Sequence, residues 1–458
     1  MYDVIVMGCG PGGYAAAIRT SQLGGKAVIV EAGEVGGTCV NRGCVPSKIW
    51  LRAACVLKLI NQSEEIGIQA SINKVDFKSI IGRKNGVATE IRTGMEALME
   101  ANGVDLIRGH GVIKNAHEVI VDEKNVRAKK IILATGSHLD IPNVKGIKDA
   151  LLTTDQVFDM TEVPKSVLIW GEAGPIDVEI ASLLNMLGST VYIATHHHRI
   201  LTLEDHDTSQ RLAQAFREQG IKIITRTKLE SVRKSQKTFK AILMGNEKET
   251  LTIERVVVSN RKPNIDGIGV KQVGIRVNED GSLWTNEKLQ TSLTGVYAIG
   301  DVTGGWMNSH SASAMAITAA ENAMGKRNDF FFKLIPRGLW TCPQVGSVGL
   351  TEEDAEKMGF EVDVGHFPYA INGLAMGYGD VDGAVKIVME AKTEEILGIH
   401  IVGANATELV GEAVMALQLE CTADELAHTI RVHPTFSETL MDAGRDASGW
   451  ALYLPPKR

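Results

Sequence analysis

The chain has 458 residues, which is too long for a single hydrophobic core, and two to four domains are therefore expected. A hydrophobic fraction of 44% with 22% charged residues is typical of a globular protein, and the net charge of −7 argues against nucleic acid or an anionic membrane as a partner. No apolar run reaches the length of a membrane span, and the six cysteines are too few for a disulfide scaffold. The first residues enter a strand pattern without a charged leader, so a cytoplasmic location is expected.

The first thirty residues have the pattern of a dinucleotide-binding unit. Residues 2–7 are an apolar strand, followed by Gly-Cys-Gly-Pro-Gly-Gly, a helical pattern, and a second strand, 27–30, that ends in Glu31. This is G-x-G-x-x-G between a strand and a helix, with an acid about 20 residues further on. A strand–helix–strand unit without any ligand remains the alternative.

Each residue of this motif has a predicted role. We expect Gly8 to form the tight turn, Gly10 to let a pyrophosphate approach the backbone, and Gly13 to let the helix pack closely on the strand. The helix N-terminus can bind phosphate, and Glu31 can bind the ribose hydroxyls.

Two cysteines, Cys39 and Cys44, lie five positions apart in the next segment. On an ideal helix such positions are roughly 8–9 Å apart, whereas a disulfide needs about 4.4–6.8 Å between Cα atoms. If the two are bonded, the helix must therefore begin irregularly, and Gly43 and Pro46 provide the means. Two unrelated buried thiols are the alternative, and a metal site would need two further soft ligands, for which the chain has no second cysteine pair.

A second unit of the same kind is predicted further along the chain. It comprises a strand at 166–171, a helix at 178–184 and a strand at 191–194, and from Pro336 the pattern changes to antiparallel strands with helices. The predicted fold is α/β, with two Rossmann-like dinucleotide-binding domains and an α+β C-terminal domain.

Several segments together resemble the flavin disulfide reductases, a pyridine nucleotide-disulfide oxidoreductase family, and within it the dihydrolipoamide dehydrogenases. They are the first glycine motif, the CVNRGCVPSK segment at 39–48, the ATGS turn at 134–137, YAIGD at 297–301 and His-Pro-Thr at 433–435. The resemblance implies an FAD-binding domain, an inserted NAD(P)-binding-like domain and an interface domain that forms a homodimer. Their expected ranges are 1–145 with 270–330, 146–269, and 331–458.

The resemblance also assigns roles to the reactive residues. Cys39 resembles the thiol that exchanges with substrate, and Cys44 the thiol next to the flavin, so that the two form a redox-active disulfide. Lys48 resembles the lysine near the flavin, paired with Glu179. These residue types suit the chemistry, because a dithiol must lose protons before its thiolate can attack.

His433 resembles the catalytic base, contributed across the dimer, with Glu438 holding its imidazole. Imidazole titrates in the range that proton transfer from a thiol requires. Because Pro434 follows, we expect His433 to project from the entrance of a helix whose first turn contains the proline.

The resemblance further implies a set of FAD-binding residues. They are Gly8, Gly10, Gly13, Glu31, Thr38, Lys48, Gly111, Thr135, Gly136, Ser137, Asp301, Met307 and His310.

The second glycine motif departs from the family pattern. Alignment on Val178 and Glu179 puts Glu172, Gly174 and Asp177 at the three glycine positions, so only the middle glycine remains. Carboxylates at about 4 Å from a pyrophosphate would cost several kcal/mol each, and they can cap the helix themselves. We therefore expect NAD(P) to bind weakly or in an altered way, or electrons to pass elsewhere.

Two further positions depart from the family pattern in the same direction. The acid expected at the end of the second strand of the second unit is Thr195, and the glycine expected before Arg-x-Pro-Asn is Asn260. The basic run His196–Arg199 follows Thr195. It is typical of a solvated surface, with phosphate binding and metal binding as alternatives.

The leading hypothesis is an FAD-dependent dithiol–disulfide oxidoreductase that oxidises protein-bound dihydrolipoyl groups through Cys39 and Cys44, with NAD as acceptor by resemblance. The expected partners are a lipoylated carrier protein or a small dithiol or disulfide. Two alternatives stay open. One is a disulfide-linked flavoprotein that uses a non-nicotinamide electron partner, and the other is a non-catalytic flavoprotein that acts as a binding module.

Overall fold

A computed structural model describes residues 1–456. The strands are β1 (Tyr2–Met7), β2 (Ala27–Glu31), β3 (Asp105–Arg108), β4 (Gly111–Asn115), β5 (Glu118–Val121), β6 (Lys124–Leu133), β7 (Ser137–Leu139), β8 (Leu151–Thr153), β9 (Ser166–Gly171), β10 (Thr190–Thr195), β11 (Lys222–Ile224), β12 (Lys228–Ser235), β13 (Thr238–Met244), β14 (Lys248–Ile253), β15 (Arg255–Val258), β16 (Arg261–Pro263), β17 (Val296–Ala298), β18 (Arg337–Leu339), β19 (Gln344–Gly349), β20 (Val362–Pro368), β21 (Ala384–Glu390) and β22 (Ile396–Gly403).

The α-helices alternate with these strands through most of the chain. They are α1 (Pro11–Gln22), α2 (Gly37–Asn41), α3 (Cys44–Gln62), α4 (Phe77–Ala101), α5 (Ile147–Ala150), α6 (Thr154–Val157), α7 (Pro175–Met186), α8 (His206–Glu218), α9 (Ser309–Ala323), α10 (Glu352–Lys357), α11 (Gly373–Tyr378), α12 (Ala406–Gln418), α13 (Ala423–His428) and α14 (Glu438–Ala447). Short 3-10 turns lie at Ser63–Ile66, Gly300–Thr303, Phe332–Leu334 and Tyr369–Ile371.

The chain divides into two compact units. The first consists of Met1–Pro142, Thr153–Glu162 and Ser259–Phe331. Its sheet has the order β3-β2-β1-β6-β5-β4, with β17 also paired to β6. The strands β3, β2, β1, β6 and β17 are parallel, whereas β4 and β5 extend β6 as an antiparallel meander.

The core of the first unit follows from its sequence pattern. Val4, Ile5 and Val6 of β1 are fully buried, as expected of a central parallel strand that is covered on both faces. On one face, Ala16 and Ala17 of α1 pack with residues of β1 and α9 in a single apolar cluster. The small side chains of α1 permit this close packing, which brings the start of α1 to the carboxyl end of β1.

The second unit consists of Asn143–Leu152, Val163–Val258 and Phe332–Arg458, of which 457–458 lie outside the described residues. One sheet has the order β11-β10-β9-β15-β8, in which β9, β10, β11 and β15 are parallel. A three-stranded antiparallel sheet, β12-β13-β14, follows it in the chain.

The C-terminal part of the second unit is built on an antiparallel sheet with the order β18-β19-β22-β21-β20. Residues of α12 and α14 complete its apolar core with side chains of β21 and β22. This antiparallel sheet with its helices is the predicted α+β part, and the predicted α/β fold class is confirmed.

The three-domain division remains a prediction. Residues 259–269, which we assigned to the second nucleotide-binding domain, belong to the first compact unit, as does Thr153–Glu162. Within residues 1–456, none of the helices combines the length and the apolar character needed to cross a membrane.

Candidate active site

The first glycine motif has the predicted tight turn at Gly8 and the predicted close contact at Gly13. Gly8 has φ +103°, and a Cβ added there would lie 2.3 Å from the carbonyl oxygen of Ala134. A Cβ at Gly13 would lie 1.9 Å from the carbonyl oxygen of Gly8, so only glycine permits this contact between helix and turn. A Cβ at Gly10, by contrast, would have no atom within 4 Å. Gly8 and Gly13 therefore serve the chain itself, and the space beside Gly10 is open to a ligand.

The N-terminus of α1 is available to an anion. Gly10 is the N-cap, Pro11 follows it, and no side chain caps this end of the helix. The first backbone N–H groups of a helix have no intrahelical acceptor and carry partial positive charge. The arrangement suits a phosphate or pyrophosphate group.

Glu31 ends β2 as a fixed carboxylate. Its Oε2 accepts a hydrogen bond of 2.6 Å from the backbone N–H of Cys9, and its Oε1 accepts one of 2.6 Å from the N–H of Gly33. Burial, together with the Glu31 charge, raises the pKa of the Cys9 thiol to about 12, so Cys9 stays neutral inside the motif. The carboxylate lies beside the glycine turn, where a ribose binder is expected.

The turn after β6 joins three segments of the first unit. Thr135 Oγ1 donates to the carbonyl oxygen of Asn264 at 2.8 Å, and Gly136 has φ +71°. Ser137 Oγ donates to Asp301 Oδ2 at 2.5 Å and accepts from Arg261 Nε at 2.7 Å. The structure thus brings together the predicted residues Thr135, Gly136, Ser137 and Asp301.

The remaining predicted FAD-binding residues are also placed by these elements. Thr38 lies in α2, and its carbonyl oxygen accepts from Arg42 N–H at 2.8 Å. Met307 has φ +46° in the loop before α9, and His310 is in the first turn of that helix. Gly111 starts β4, where an added Cβ would lie 3.0 Å from Val30 Cγ1, so its lack of a side chain is explained by packing.

The cysteine segment contains the irregular helix start that we predicted. The short helix α2 ends at Asn41, and α3 begins at Cys44, with Gly43 between them at φ −126° and ψ −104°. Because of this break, Cys39 and Cys44 belong to different helices and are not separated by the i to i+5 distance of a regular helix. The Cys39 and Cys44 side chains contact each other as thiols through a hydrogen bond. Cys44 Sγ also lies 3.4 Å from Ser309 Oγ.

The electrostatics of the pair favour a protonated Cys39. The hydrogen bond to Cys44 and burial raise the pKa of the Cys39 thiol, whereas Ser309 and the positive charge of Lys48 act in the opposite direction. Thiolate formation at Cys39 therefore requires a base that removes the proton.

Lys48 and Glu179 were predicted to act together, and that pairing remains a prediction. Lys48 lies in the second turn of α3, one turn beyond Cys44, and its charge acts on the cysteine pair. Glu179 lies in α7, where its Oε1 accepts a hydrogen bond of 2.9 Å from the backbone N–H of Trp340.

The predicted contact between His433 and Glu438 is present. His433 Nδ1 lies 2.9 Å from Glu438 Oε1, and Glu438 Oε2 accepts a hydrogen bond of 2.8 Å from Thr435 N–H. The carboxylate is 15% exposed and the imidazole 78% exposed. Glu438 thus orients a largely exposed imidazole.

The predicted position of Pro434 within a first helical turn was wrong. Helix α14 begins at Glu438, so His433 and Pro434 lie in the preceding loop. The reason is that both oxygens of Glu438 reach back to this loop, one to His433 and the other to Thr435, which holds it as a turn ahead of the helix.

The second glycine motif shares the N-cap glycine and the following proline with the first, but differs in the residues around them. Gly174 is again the N-cap of the helix, and Pro175 again follows it. Asp177, at the position of the third glycine, is 1% exposed, and its Oδ2 accepts a hydrogen bond of 3.2 Å from Gly174 N–H. The helix is therefore capped by its own side chain, as we predicted. Ala173, just before the N-cap, has φ +51°.

Glu172 and Thr195 lie close to each other at the ends of neighbouring strands. Glu172 Oε2 is 2.6 Å from His197 Nε2, and Thr195 Oγ1 accepts from His197 N–H at 3.3 Å. Thr195 is fully buried, unlike the partly exposed Glu31 that ends β2. Asn260, the third departure, lies in the first unit, where its carbonyl oxygen accepts from Asp140 N–H at 2.7 Å.

Arg261 and Ser309 were absent from the predicted site. Arg261 binds the backbone and side chain of Ser137, next to Asp301, and burial lowers its pKa from the ordinary value. Ser309 contacts the cysteine pair. The Arg-x-Pro-Asn motif could have indicated Arg261, and the neighbouring His310 could have indicated Ser309.

Comparison with known proteins shows the family of the chain. Residues 2–316 match the family model "Pyridine nucleotide-disulphide oxidoreductase", and residues 335–443 match its "dimerisation domain". Dihydrolipoyl dehydrogenase from Thermus scotoductus is 36% identical over 99% of both chains, and that from Chlorobaculum tepidum is 38% identical over 97% of both. The dihydrolipoyl dehydrogenase from Bacillus subtilis is 35% identical over 99% of both chains.

Solved structures agree with the fold. The Cu(II) complex of an HOCl-induced flavoprotein disulfide reductase from Escherichia coli has a TM-score of 0.85 at 25% identity and covers 97% of this chain and 98% of its own. LpdA from Mycobacterium tuberculosis has a TM-score of 0.87 at 23% identity, covering 97% and 99%, and supports the fold alone. The chain belongs to the pyridine nucleotide-disulphide oxidoreductase family and is an FAD-dependent disulfide oxidoreductase resembling dihydrolipoyl dehydrogenase.

Proposed function

We propose that the protein oxidises protein-bound dihydrolipoyl groups by dithiol–disulfide exchange at Cys39 and Cys44. The observation that carries this proposal is the contact between the two sulfur-bearing side chains at the break between α2 and α3. Dihydrolipoyl dehydrogenases that match nearly the full length of the chain support a dithiol of this class as substrate. The cytoplasmic location remains a prediction.

The exchange balances in two steps. A substrate thiolate attacks Cys39 Sγ of the oxidised pair, and Cys44 leaves as a thiolate. The second substrate thiolate then displaces Cys39, which closes the substrate disulfide. The substrate has lost two electrons, and Cys39 and Cys44 have gained them.

His433 is the proposed base for the substrate thiols. Its Nδ1 contacts Glu438, so its Nε2 is left to accept a proton, and the Glu438 carboxylate stabilises the imidazolium that forms. We propose that a second copy of the chain in a homodimer contributes this histidine. The match of residues 335–443 to a dimerisation domain supports that assembly.

The first unit fits FAD. The open space at Gly10, the uncapped start of α1 and the carboxylate of Glu31 are suited to the pyrophosphate and one ribose. Asp301, held by Ser137, is proposed for the ribityl and phosphate end. Thr38, Lys48, Thr135, Gly136, Met307 and His310 are proposed to line the rest. When bound, FAD supplies a two-electron acceptor for the cysteine pair.

The second unit does not fit NAD(P) in the same way. Asp177 accepts from the N–H of Gly174, the N-cap of α7, and fills the position where the first unit has Gly13. Glu172 adds a second carboxylate at this turn. We propose that NAD(P) binds weakly or in an altered mode, and that the final electron acceptor can be of another chemical class.

The dithiol half-reaction tests the proposed function. Dihydrolipoamide mixed anaerobically with the flavin-loaded protein should bleach the flavin absorbance rapidly. The variant Cys39→Ser should lower that rate by about a thousandfold or more, because it lacks the attacked sulfur. The control Cys55→Ser, which removes another half-buried cysteine of α3, should react like the unchanged protein. Bleaching that is equally slow in all three proteins would support a binding module instead.

A titration with NADH tests the nucleotide proposal separately. We expect the flavin of the oxidised protein to bleach slowly and only at high NADH concentrations. Fast anaerobic bleaching at micromolar NADH would refute weak nucleotide binding while leaving the dithiol proposal intact.

A further inference from the structure

Three side chains of the second unit meet at the ends of two neighbouring strands. His197 Nε2 lies 2.6 Å from Glu172 Oε2, and His196 Nε2 lies 3.9 Å from the same oxygen. One ligand atom from each residue lies within 4.8 Å of the others. The two imidazole rings are 4.0 Å apart between centroids. A single metal ion bonded tetrahedrally to three atoms at about 2.0–2.2 Å holds those atoms roughly 3.3–3.6 Å apart. The separations of 2.6 Å and 3.9 Å lie on either side of this range, so rotation of the side chains would bring the three atoms onto one ion.

The strand register explains how these residues meet. β9 and β10 are parallel neighbours, and Gly171 at the end of β9 pairs with Thr195 at the end of β10. Glu172 follows the first strand end and His196 the second, so both leave the sheet at the same edge. The positions of Glu172 and His196 therefore follow from the register of the sheet.

The backbone of His197 is held on both sides. Its N–H donates to Thr195 Oγ1 at 3.3 Å, and its carbonyl oxygen accepts from Arg226 N–H at 2.8 Å. A ligand on a fixed backbone loses little conformational entropy when it binds an ion. His197 is half-buried, whereas Glu172 and His196 are exposed, so an ion could enter from solvent.

We propose that Glu172, His196 and His197 form a binding site for a divalent transition-metal ion of the zinc class. Two imidazoles and one carboxylate suit Zn²⁺, Ni²⁺ or Cu²⁺, whereas Mg²⁺ and Ca²⁺ prefer oxygen ligands alone. Three protein ligands at an exposed position leave at least one coordination site for water or a substrate oxygen. This proposal goes beyond the proposed function and does not depend on it.

The simpler alternative is an ion pair between His197 and Glu172, with His196 stacked beside it. An ion pair needs only the 2.6 Å contact and gives no role to His196. A metal site requires both histidines. The two explanations therefore make different predictions for substitution of His196.

Titration calorimetry with Zn²⁺ alone tests the proposal on the full-length protein. The protein is first oxidised so that Cys39 and Cys44 form a disulfide and offer no thiolates. We expect saturable binding of one ion per chain. His196→Ala and His197→Ala should each weaken the affinity about tenfold or more, which corresponds to about 1.4 kcal/mol. The matched control His198→Ala, which changes the next exposed histidine, should bind like the unchanged protein.

Cu²⁺ electron paramagnetic resonance on the same oxidised proteins gives a second measurement. The spectrum should show two nitrogen ligands in the unchanged protein and in His198→Ala, and one in either proposed-ligand variant. Flavin content and thermal midpoint show that each variant is folded. Absence of saturable Zn²⁺ binding, or full affinity in His196→Ala, would overturn the proposal. Neither readout involves dithiol oxidation, so failure of the proposed function would be seen separately.

Discussion

The two strand–helix–strand units have the same order of elements but differ in the turn between the first strand and the helix. In each, a buried parallel strand leads through a short turn to a glycine N-cap, Gly10 or Gly174, and then to a proline. In the first, Gly13 lies so close to Gly8 that a Cβ would be 1.9 Å from the Gly8 carbonyl oxygen. In the second, Asp177 has a side chain at that position, buried and bonded to Gly174 N–H.

The difference shows that strand and helix placement does not require the glycine signature. The second motif keeps a helix directly after its buried strand although Asp177 takes the place of the third glycine. The two motifs differ in what binds at the helix start, since Asp177 accepts from the N–H of the N-cap Gly174, whereas no side chain caps the start of α1. The strand–helix–strand order is therefore kept although the residues of the turn differ.

The largest loss of stability is expected when Gly13 of the first motif is replaced by aspartate, the residue at the matching position of the second motif. Gly13→Asp places a Cβ against the Gly8 carbonyl oxygen, so the helix must move away from the turn. We expect a loss of at least about 3 kcal/mol in the free energy of unfolding and loss of bound flavin. Urea unfolding and the ratio of flavin to protein absorbance measure both.

Gly10→Ala is the matched control for that substitution. The added Cβ has open space around it, so the protein should keep its stability and lose flavin affinity alone. A stable, flavin-loaded Gly13→Asp protein would show that the close approach in the first motif is unnecessary.

A smaller change in stability is expected when the first and third positions of the second motif are replaced by glycine, as in the first motif. The double variant Glu172→Gly with Asp177→Gly removes both carboxylates and frees Gly174 N–H. Loss of the cap should cost about 1 kcal/mol of stability. The affinity for NADH should rise about tenfold or more, because two like charges no longer oppose the pyrophosphate.

Fluorescence titration with NADH measures this gain. Glu172→Gln with Asp177→Asn is the control, because it removes the charges and keeps the amide cap, so it separates repulsion from access to the helix start. An affinity that stays unchanged in both double variants would mean that other residues limit nucleotide binding.

The sequence predicted the strands better than it predicted the loops between them. The ranges 2–7 and 166–171 were found as predicted because uninterrupted apolar residues belong to strands buried on both faces. The break between Cys39 and Cys44 follows from the condition that the two cysteines can bond, since disulfide geometry excludes a regular helix there.

Side-chain contacts between distant segments escaped prediction. Arg261 reaches Ser137 across 124 positions, and Ser309 reaches Cys44 across 265. Periodicity reports only on neighbours along the chain, so such pairs need the tertiary fold. The position of Pro434 was predicted wrongly for a related reason. The contacts of Glu438 with His433 and Thr435 hold the preceding residues as a loop before α14.

The smallest effect is expected in the pH dependence of the free energy of unfolding, through the buried histidine His400 of the second unit. His400 in β22 is 1% exposed, and its Nε2 lies 2.9 Å from the carbonyl oxygen of Leu350. Burial lowers the pKa of His400, an effect that the Asp205 carboxylate opposes and the Arg337 charge reinforces. The folded protein therefore binds fewer protons at His400 than the unfolded chain, whose imidazole has a pKa of about 6.5.

The stability that comes from a neutral His400 is fully present above the unfolded pKa and is lost as pH falls below it. His400→Gln keeps a donor for Leu350 and does not titrate. The free energy of unfolding of the unchanged protein, relative to this variant, should therefore decrease between about pH 7.5 and pH 5. Urea unfolding at several pH values measures the difference, and a constant difference would contradict it. The Glu172 and Asp177 variants leave His400 in place. Their free energy of unfolding should therefore show the same dependence on pH as that of the unchanged protein, which would show that this dependence does not come from the second glycine motif.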